Sequence, residues 1–367
     1  MADSMRHRGP DSSGFFRDGE VALGHRRLSI IDVAGGQQPL ENEDGSLVLI
    51  CNGEIYNYQR LRQELIERGH RFRTRSDSEV VLHLYEESGP ACLSRLNGMF
   101  ALALFDRRTR QLFLARDRIG IKPLYYARAG SRFLFASEIK ALLRWPALDT
   151  EVDALAIHRY LALRYVPGPG TLFHSIHKLP AAHYAIFAEG ELQLVRYWQP
   201  ELWDGEYPYS EQDYEEQFRE LFERSVRRRL ISEVPVGAYL SGGLDSSVIV
   251  AAFSKLIDRP VKTFSVGFGY SHDEIEQAAE TARHLGCDHT QVDCTAEDLL
   301  LLPTIVHHLD EPIGDPIVVP MYLLAREATK QVTVILTGEG ADEIFGGYLF
   351  HRALLGGRQT RGGCRGP

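Results

Sequence analysis

Long hydrophobic runs are missing from this chain of 367 residues, and no stretch is apolar enough to predict a membrane-spanning helix. The opening residues, Met-Ala-Asp-Ser-Met-Arg-His-Arg, include no apolar segment, so no signal peptide is expected. Cysteine is scarce. The five present are Cys51, Cys92, Cys287, Cys294 and Cys364, with no C-x-x-C pair. An odd number at irregular spacing argues against a disulfide framework and predicts reduced thiols in the cytoplasm. Cys287, His289 and Cys294 fit no common zinc-finger spacing, so packed thiols are expected there. Positive charge is short as well: 41 Lys and Arg stand against 50 Asp and Glu, a net −9 that argues against a nucleic-acid partner. Two phosphate-binding fingerprints are absent. No lysine follows the glycines of the one serine–glycine loop, which excludes a Walker A loop, and no G-x-G-x-x-G occurs.

What the chain does contain is Val234-Pro-Val-Gly-Ala-Tyr-Leu240-Ser-Gly-Gly-Leu-Asp-Ser-Ser247. It reads as a buried strand, a tight turn and a helix. Leu244, Val248, Ala252 and Leu256 recur every fourth position and predict the inward helix face. Glycines at 242 and 243 let the backbone approach a ligand, and the free N–H groups of the new helix suit linked phosphates. Asp245 would repel phosphates unless a divalent cation lay between them, so the string predicts a magnesium–pyrophosphate site. A second loop, Thr337-Gly-Glu-Gly-Ala-Asp-Glu343, also follows an apparent strand, and its acids Glu339, Asp342 and Glu343 suit magnesium and an acyl adenylate. Alone these acids read as a solvated loop; paired with the first loop they read as a site.

The rest divides into two styles. Before about residue 196, Ser46–Cys51 is expected as a strand ended by Asn52-Gly53. Tyr58–Gly69 is expected as a helix with Leu61 and Leu65 inward, and a second helix runs from Asp77 or Ser78 to Glu87. Met99–Phe105 with Gln111–Ala115, and Leu124–Ala127 with Phe133–Ala136, read as hairpins. Val21–Arg26 and Arg27–Asp32 read as short extended pieces around a turn. After a boundary in 196–208 rich in Pro, Trp and Tyr, a charged helix over Ser210–Leu230 leads into alternating strands and helices. Such alternation predicts a doubly wound parallel sheet with ligands at the carboxyl ends of its strands. The tail from Gly356 is rich in Gly and Arg and is expected to be disordered.

Nine strings in order make the chain similar to the glutamine-dependent asparagine synthetase family. They are Arg8-Gly-Pro-Asp11, Arg27-Leu-Ser-Ile-Ile31, Asn52-Gly-Glu-Ile-Tyr-Asn57, Ser76-Asp-Ser-Glu79, Ala115-Arg-Asp117, Gly120-Ile-Lys-Pro-Leu-Tyr125, Ser137-Glu-Ile-Lys140, Ser241 to Ser247, and Gly338-Glu-Gly-Ala-Asp-Glu343. The resemblance implies an α+β class II glutaminase over 1–195, of the αββα N-terminal-nucleophile fold, and an α/β ATP-pyrophosphatase-like synthetase domain over 209–355, with a disordered tail over 356–367. It implies that ammonia from glutamine amidates an aspartate side chain activated by ATP, with magnesium, as β-aspartyl-AMP.

Carried over by position, Arg27 would clamp the glutamine α-carboxylate, with Leu28, Ser29, Ile30 and Ile31 in the same glutamine-binding string. Asp77 and Glu54 would hold the amino end, and Asn52 with the Gly53 N–H would form the oxyanion hole. Leu240, Val266, Thr337 and Gly338 match nucleotide contacts. Ser241, Gly242, Gly243, Ser246 and Ser247 match the pyrophosphate loop, Asp245 and Asp342 the magnesium-side acids, and Glu339 the residue tied to adenylate formation. A homodimer is left open.

Two departures stand out. The family's nucleophile is a cysteine exposed as the first residue, whereas no cysteine here precedes Cys51, which sits inside a strand. The family also continues past Gly346-Gly-Tyr348 with a helical segment bearing a lysine. The chain is therefore expected to be truncated at both ends and to hydrolyse no glutamine. Two alternatives stay open: amidation of another carboxylate, of a sugar or peptide, and a non-catalytic ligand-binding fragment. Asp310-Glu-Pro-Ile-Gly-Asp-Pro316 is expected near the acceptor pocket.

Overall fold

The computed structural model describes residues 1–201, 208–269, 273–348 and 351, so the expectation for the tail lies outside the described residues. Two units form. The first comprises Met1–Glu216, Ile231–Glu233 and Leu299–Val319; the second comprises Gln217–Leu230, Val234–Asp298 and the described residues from Pro320 onward.

In the first unit the chain runs β1 (Ser12–Asp18), β2 (Val21–Arg27), β3 (Leu40–Glu41), β4 (Leu47–Ile55), α1 (Tyr58–Glu67), α2 (Glu79–Ser88), β5 (Gly98–Asp106) and β6 (Gln111–Arg116). It continues with β7 (Tyr125–Ala129), β8 (Arg132–Ala136), α3 (Ile139–Leu142), α4 (Ala154–Leu163), β9 (Ile176–Lys178), β10 (His183–Ala188) and β11 (Glu191–Arg196). One sheet has the order β11-β10-β6-β5-β4-β3, and each neighbour is antiparallel.

Because side chains alternate along a strand, this sheet has two apolar faces. Leu47, Leu49, Leu102, Leu104 and Phe113 pack on one face against Leu61 and Leu65 of α1 and Val80 and Leu84 of α2. Val48, Ile50, Ala103, Phe105 and Leu114 pack on the other against Leu23 of β2, with Phe16, Tyr126, Phe133 and Phe135 of β1, β7 and β8 alongside. The sheet β8-β7-β9 turns its far face, with Ala127, Leu134 and Ala136, onto Ile139, Ala141 and Leu142 of α3. Helix, sheet, sheet and helix thus stack in the αββα order. Each fully buried Leu or Phe in these layers contributes about 1.5–3 kcal/mol relative to exposure.

Two local expectations fail here. Asn52-Gly53 does not end its strand: β4 continues to Ile55, and Gly53 pairs with Phe100 of β5. Arg27 closes β2 rather than opening an extended piece, and its hairpin partner β1, whose exposed positions alternate with half-buried ones, carries little apolar signal.

The helix α5 (Glu211–Arg229) leads into β12 (Val236–Tyr239), α6 (Leu244–Ser254), β13 (Lys262–Gly267), α7 (Ile275–His284) and β14 (Asp288–Asp293). Then come α8 (Leu302–Leu309), α9 (Val318–Ala328), β15 (Val334–Leu336) and α10 (Ala341–Phe345). The second unit is built on a sheet of order β14-β13-β12-β15, with every pair parallel. The chain leaves β12 toward β13 on one side and returns to β15 on the other, so β12 and β15 flank the switch point where an open parallel sheet binds ligands.

The inward face of α6 matches expectation only in part: Ala252 and Leu256 pack against the core as expected, and the other two positions do not. Leu244 is 77 % exposed and Val248 38 %, while Val250 and Phe253 enter the core. The apolar residues of the helix spread over more than one face, so a four-residue spacing fits more than one.

Candidate functional site

In the first unit β2, β4 and the approach to α2 converge on a cavity of about 780 Å³. Arg27, Leu28, Ile30, Ile31, Asn52, Gly53, Glu54 and Asp77 all line it. Ser29 does not; it is buried, and its N–H donates to Asp11 Oδ2 at 2.7 Å. Two sequence features explain the shape. Gly53 has φ +156°, and a β-carbon there would lie 2.0 Å from the Met99 carbonyl oxygen, so only glycine lets β4 pass β5 this closely. Arg27, 6 % exposed, donates to the carbonyls of Ile31 at 2.9 Å, Asp32 at 2.8 Å and Val33 at 3.2 Å. That bends the loop after β2 around the guanidinium. Burial lowers the Arg27 pKa, with Asp32 and Asp77 acting against it. Three of its five N–H donors serve the loop, which leaves two for a ligand.

The Asn52 amide nitrogen, Nδ2, is buried in a wall of this cavity without a hydrogen-bond partner among the described residues. An orphaned buried donor is costly unless a ligand oxygen takes it. Asp77 is 5 % exposed. Burial pushes its carboxyl up, while the Ile55 N–H, donating at 2.7 Å, pulls it down. Cys51 lines the cavity too, but its backbone is clamped by the Gln38 amide at 2.6 and 3.0 Å. Burial first, then the Asp77 charge, pushes its thiol up to about 12. It is a core thiol, not a nucleophile. Residues that sequence reasoning passed over also line the cavity: Arg8, His25, Gln38 and Lys122. Arg8 and Lys122 lay within matched strings, but nothing in their spacing marked them as lining. Burial, then the Arg27 charge, lowers the His25 pKa to about 4, so its ring is neutral at physiological pH.

In the second unit the serine–glycine loop follows β12 and the acidic loop follows β15, adjacent parallel strands. A β-carbon at Gly338 would lie 3.2 Å from the Asp245 β-carbon and 3.2 Å from the Ser246 nitrogen, so the two loops abut. The first loop is self-braced. The Ser241 N–H donates to Ser246 Oγ at 3.0 Å, the Ser241 and Ser246 hydroxyls meet at 2.9 Å, and the Gly243 N–H donates to Ser241 Oγ at 3.1 Å. Ser247 Oγ donates to the Gly243 carbonyl at 2.7 Å. At Gly242 a β-carbon would meet Glu274 at 2.9 Å, so a side chain there has no room. The first N–H groups of α6 have no acceptor within the helix and face outward from the switch point.

Leu240 is buried and its N–H donates to the Phe264 carbonyl at 2.9 Å. Val266 lies on β13. Asp245 and Glu339 are exposed, and Asp342 is half-buried. None of the three carboxylates pairs with a lysine or arginine among the described residues. Unneutralised acids beside a phosphate-type cradle are the donor chemistry that magnesium requires, so Asp245 and Asp342 fit that ion.

The proposed-zinc alternative does not assemble. Cys287 packs in the core of the second unit, and His289 Nδ1 meets Thr263 Oγ1 at 2.9 Å. The Asp310–Pro316 stretch belongs to the first unit, where Asp310 ion-pairs with Lys140 and Glu311 with Lys178, at 2.7 and 2.8 Å. Both carboxylates are therefore committed to structural cations.

Residues 1–198 match the glutamine amidotransferase domain family, and residues 217–364 match the asparagine synthase family. The chain is 43 % identical over 360 residues to asparagine synthetase [glutamine-hydrolyzing] 1 of Bacillus subtilis, covering 97 % of this chain and 56 % of that protein. It is 37 % identical over 369 residues to asparagine synthetase B [glutamine-hydrolyzing] of Escherichia coli, covering 95 % and 61 %. It is 34 % identical over 375 residues to putative asparagine synthetase [glutamine-hydrolyzing] 2 of Methanocaldococcus jannaschii, covering 96 % and 72 %. The chain thus spans from 56 % to 72 % of the length of these curated relatives. With both regions matched in order and each unit carrying its own loop or cavity, the chain belongs to the glutamine-hydrolysing asparagine synthetase family.

Proposed function

We propose that this chain carries the glutamine site and the ATP site of an enzyme that makes asparagine from aspartate, ATP and glutamine-derived ammonia. The observation that carries the reading is the abutment of Gly338 on Asp245 at the switch point of the parallel sheet. It supports a reading in which the serine–glycine cradle and the acids of the second loop serve one ligand.

In the glutamine cavity the free Arg27 donors take the α-carboxylate, and Asp77 with Glu54 takes the α-ammonium. The Asn52 amide and the Gly53 N–H are the donors for an oxyanion at the side-chain amide carbon, and Cys51 is not the thiol that attacks it. In the nucleotide site the Ser241–Ser247 loop holds the β- and γ-phosphates, which leave together as pyrophosphate. Leu240, Val266, Thr337 and Gly338 border the nucleoside, and Asp245 and Asp342 hold magnesium. Held by Asp245 and Asp342, magnesium would supply charge neutralisation to the phosphates while the aspartate carboxylate attacks the α-phosphorus. Glu339 orients the adenylate in this reading. The domain ranges follow: glutaminase over 1–195 and synthetase over 209–355. Cytoplasmic location and a homodimer belong to the same proposal.

The test is pyrophosphate release from ATP and magnesium, with ammonium as nitrogen donor, across aspartate, glutamate and a sugar carboxylate. Release that depends on aspartate supports the reading. Release with another carboxylate alone moves the acceptor assignment, and release indifferent to any carboxylate overturns it.

A further inference from the structure

On the helix-covered side of the first unit, Glu43, His70, His83 and Glu86 bring one donor atom each within 4.8 Å of one another. They come from three separate segments: the turn between β3 and β4, the residue after Gly69 that follows α1, and one face of α2. His83 is held rigidly. Its side chain is 1 % exposed and its ring lies 4.4 Å from the Phe72 ring and 4.9 Å from that of His70. Among the described residues neither of its ring nitrogens makes a close, well-aligned hydrogen bond, and each faces a carboxylate at 3.4 or 3.8 Å instead. A buried imidazole held only by long contacts to carboxylates leaves room for a tighter partner between them.

The rings are aimed alike. His83 Nδ1 faces Glu43 Oε2 at 3.4 Å, and His70 Nδ1 faces Glu43 Oε1 at 3.6 Å and Glu86 Oε2 at 3.9 Å. The opposite nitrogens face other carboxylates: His70 Nε2 lies 3.4 Å from Glu87 and His83 Nε2 lies 3.8 Å from Glu79. That is how a metal-bound imidazole is oriented, one nitrogen on the ion and the other toward a carboxylate. A tetrahedral ion with bonds of about 2.0–2.2 Å sets its donors roughly 3.3–3.6 Å apart. The gaps of 3.4 and 3.6 Å, which reach the two different oxygens of Glu43, fall in that range; the 3.9 Å gap to Glu86 and the 4.8 Å span of the four donors are wider, so the donors would draw together around the ion. Two carboxylates also supply the charge a dication balances.

We propose that Glu43, His70, His83 and Glu86 form a structural site for a divalent transition ion, zinc by donor set and spacing. The ion would pin the turn before β4 and the segment after α1 to α2. The residues just ahead of α2 include Asp77, so the clamp braces one wall of the cavity. Glu87, itself held by Arg68 at 2.7 Å, is a positioning residue for His70.

The test uses the purified chain, stripped by chelator, desalted and dialysed against zinc alone. A single equivalent is expected per chain, with a raised Tm. His70→Ala and Glu86→Gln, both at partly exposed positions, should each weaken uptake by more than about 100-fold, with an unchanged circular dichroism spectrum. Glu87→Gln removes no donor and should weaken it by about tenfold. Cobalt(II) in place of zinc should give visible bands without thiolate charge transfer. No stoichiometric uptake, uptake that survives the paired His70→Ala and Glu86→Gln changes, or uptake lost only on replacing Cys287 or Cys294, would overturn the proposal.

Discussion

Gly338 sits directly on Asp245: a β-carbon added to it would come within 3.2 Å of the Asp245 β-carbon and of the Ser246 backbone nitrogen. Loops separated by about ninety residues of sequence are thereby locked together. Gly338→Val therefore pushes the acidic loop off the start of α6. Mg·ATP affinity should fall by about tenfold or more, equivalent to at least about 1.4 kcal/mol, while Tm shifts little. Titration calorimetry beside a melting curve separates the two effects.

The Lys140 ammonium lies 2.7 Å from Glu138 Oε2 and 2.7 Å from Asp310 Oδ1. Asp310 also accepts the Ile139 N–H at 2.7 Å, and both carboxylate side chains are nearly buried, at 5 % and 6 % exposure. Lys140→Met strands the buried Asp310, while Glu138 keeps His7 at 3.0 Å and Arg8 at 3.3 Å, and should cost about 3 kcal/mol in urea unfolding of the chain. Adding Asp310→Asn to Lys140→Met should cost less than the sum of the two single changes, because the second change removes a charge the first left unpaired.

Cys51 should prove chemically inert. With its thiol pushed up to about 12 it carries almost no thiolate at pH 8, so iodoacetamide should not label it in the folded chain. Cys51→Ala should cost about 1–2 kcal/mol through the cavity it leaves in the core. It should leave glutamine binding in calorimetry unchanged.

His25 makes stability depend on pH. Its pKa is about 4 when folded and 6.5 when exposed, so between these values the unfolded chain binds the extra proton. Stability then rises with pH across that window: the contribution is whole above about 6.5 and lost as pH falls through about 4. The full swing is about 3 kcal/mol. Urea midpoints at pH 7 and pH 5 should converge in His25→Gln relative to the parent, since other groups titrate equally in both.

What the sequence made legible follows from where its signals are local. The β12 strand, its glycine bend and the first turn of α6 lie within fourteen consecutive residues, and every one of those features is a short-range constraint. Leu61 and Leu65 of α1 are both fully buried, as four-residue spacing on a polar helix foretells. The same rule misled at Leu244 and Val248, because a helix whose apolar residues spread over more than one face does not name its buried one.

Nonlocal features were hidden. Asn-Gly normally signals a turn, yet β4 runs through Asn52 and Gly53 because β5 presses its backbone close there. Arg27 was legible as a cavity residue, but not its three bonds to the loop carbonyls, which depend on how that loop folds back. Glu43, His70, His83 and Glu86 have no ligand spacing in sequence, since three separate segments must fold before they meet. Strands β9 to β11 and helix α4 carried no marked pattern, and the exposed Leu161 and Tyr165 near the end of α4 show why: their apolar residues do not sort into one buried stripe.

The measurement that bears most directly on the account is titration of ATP into the chain by calorimetry, with and without magnesium. The account predicts saturable binding that requires the ion and is lost in Asp245→Asn and in Asp342→Asn, with secondary structure intact. Binding that is equally strong without magnesium, or that survives both substitutions, would contradict it.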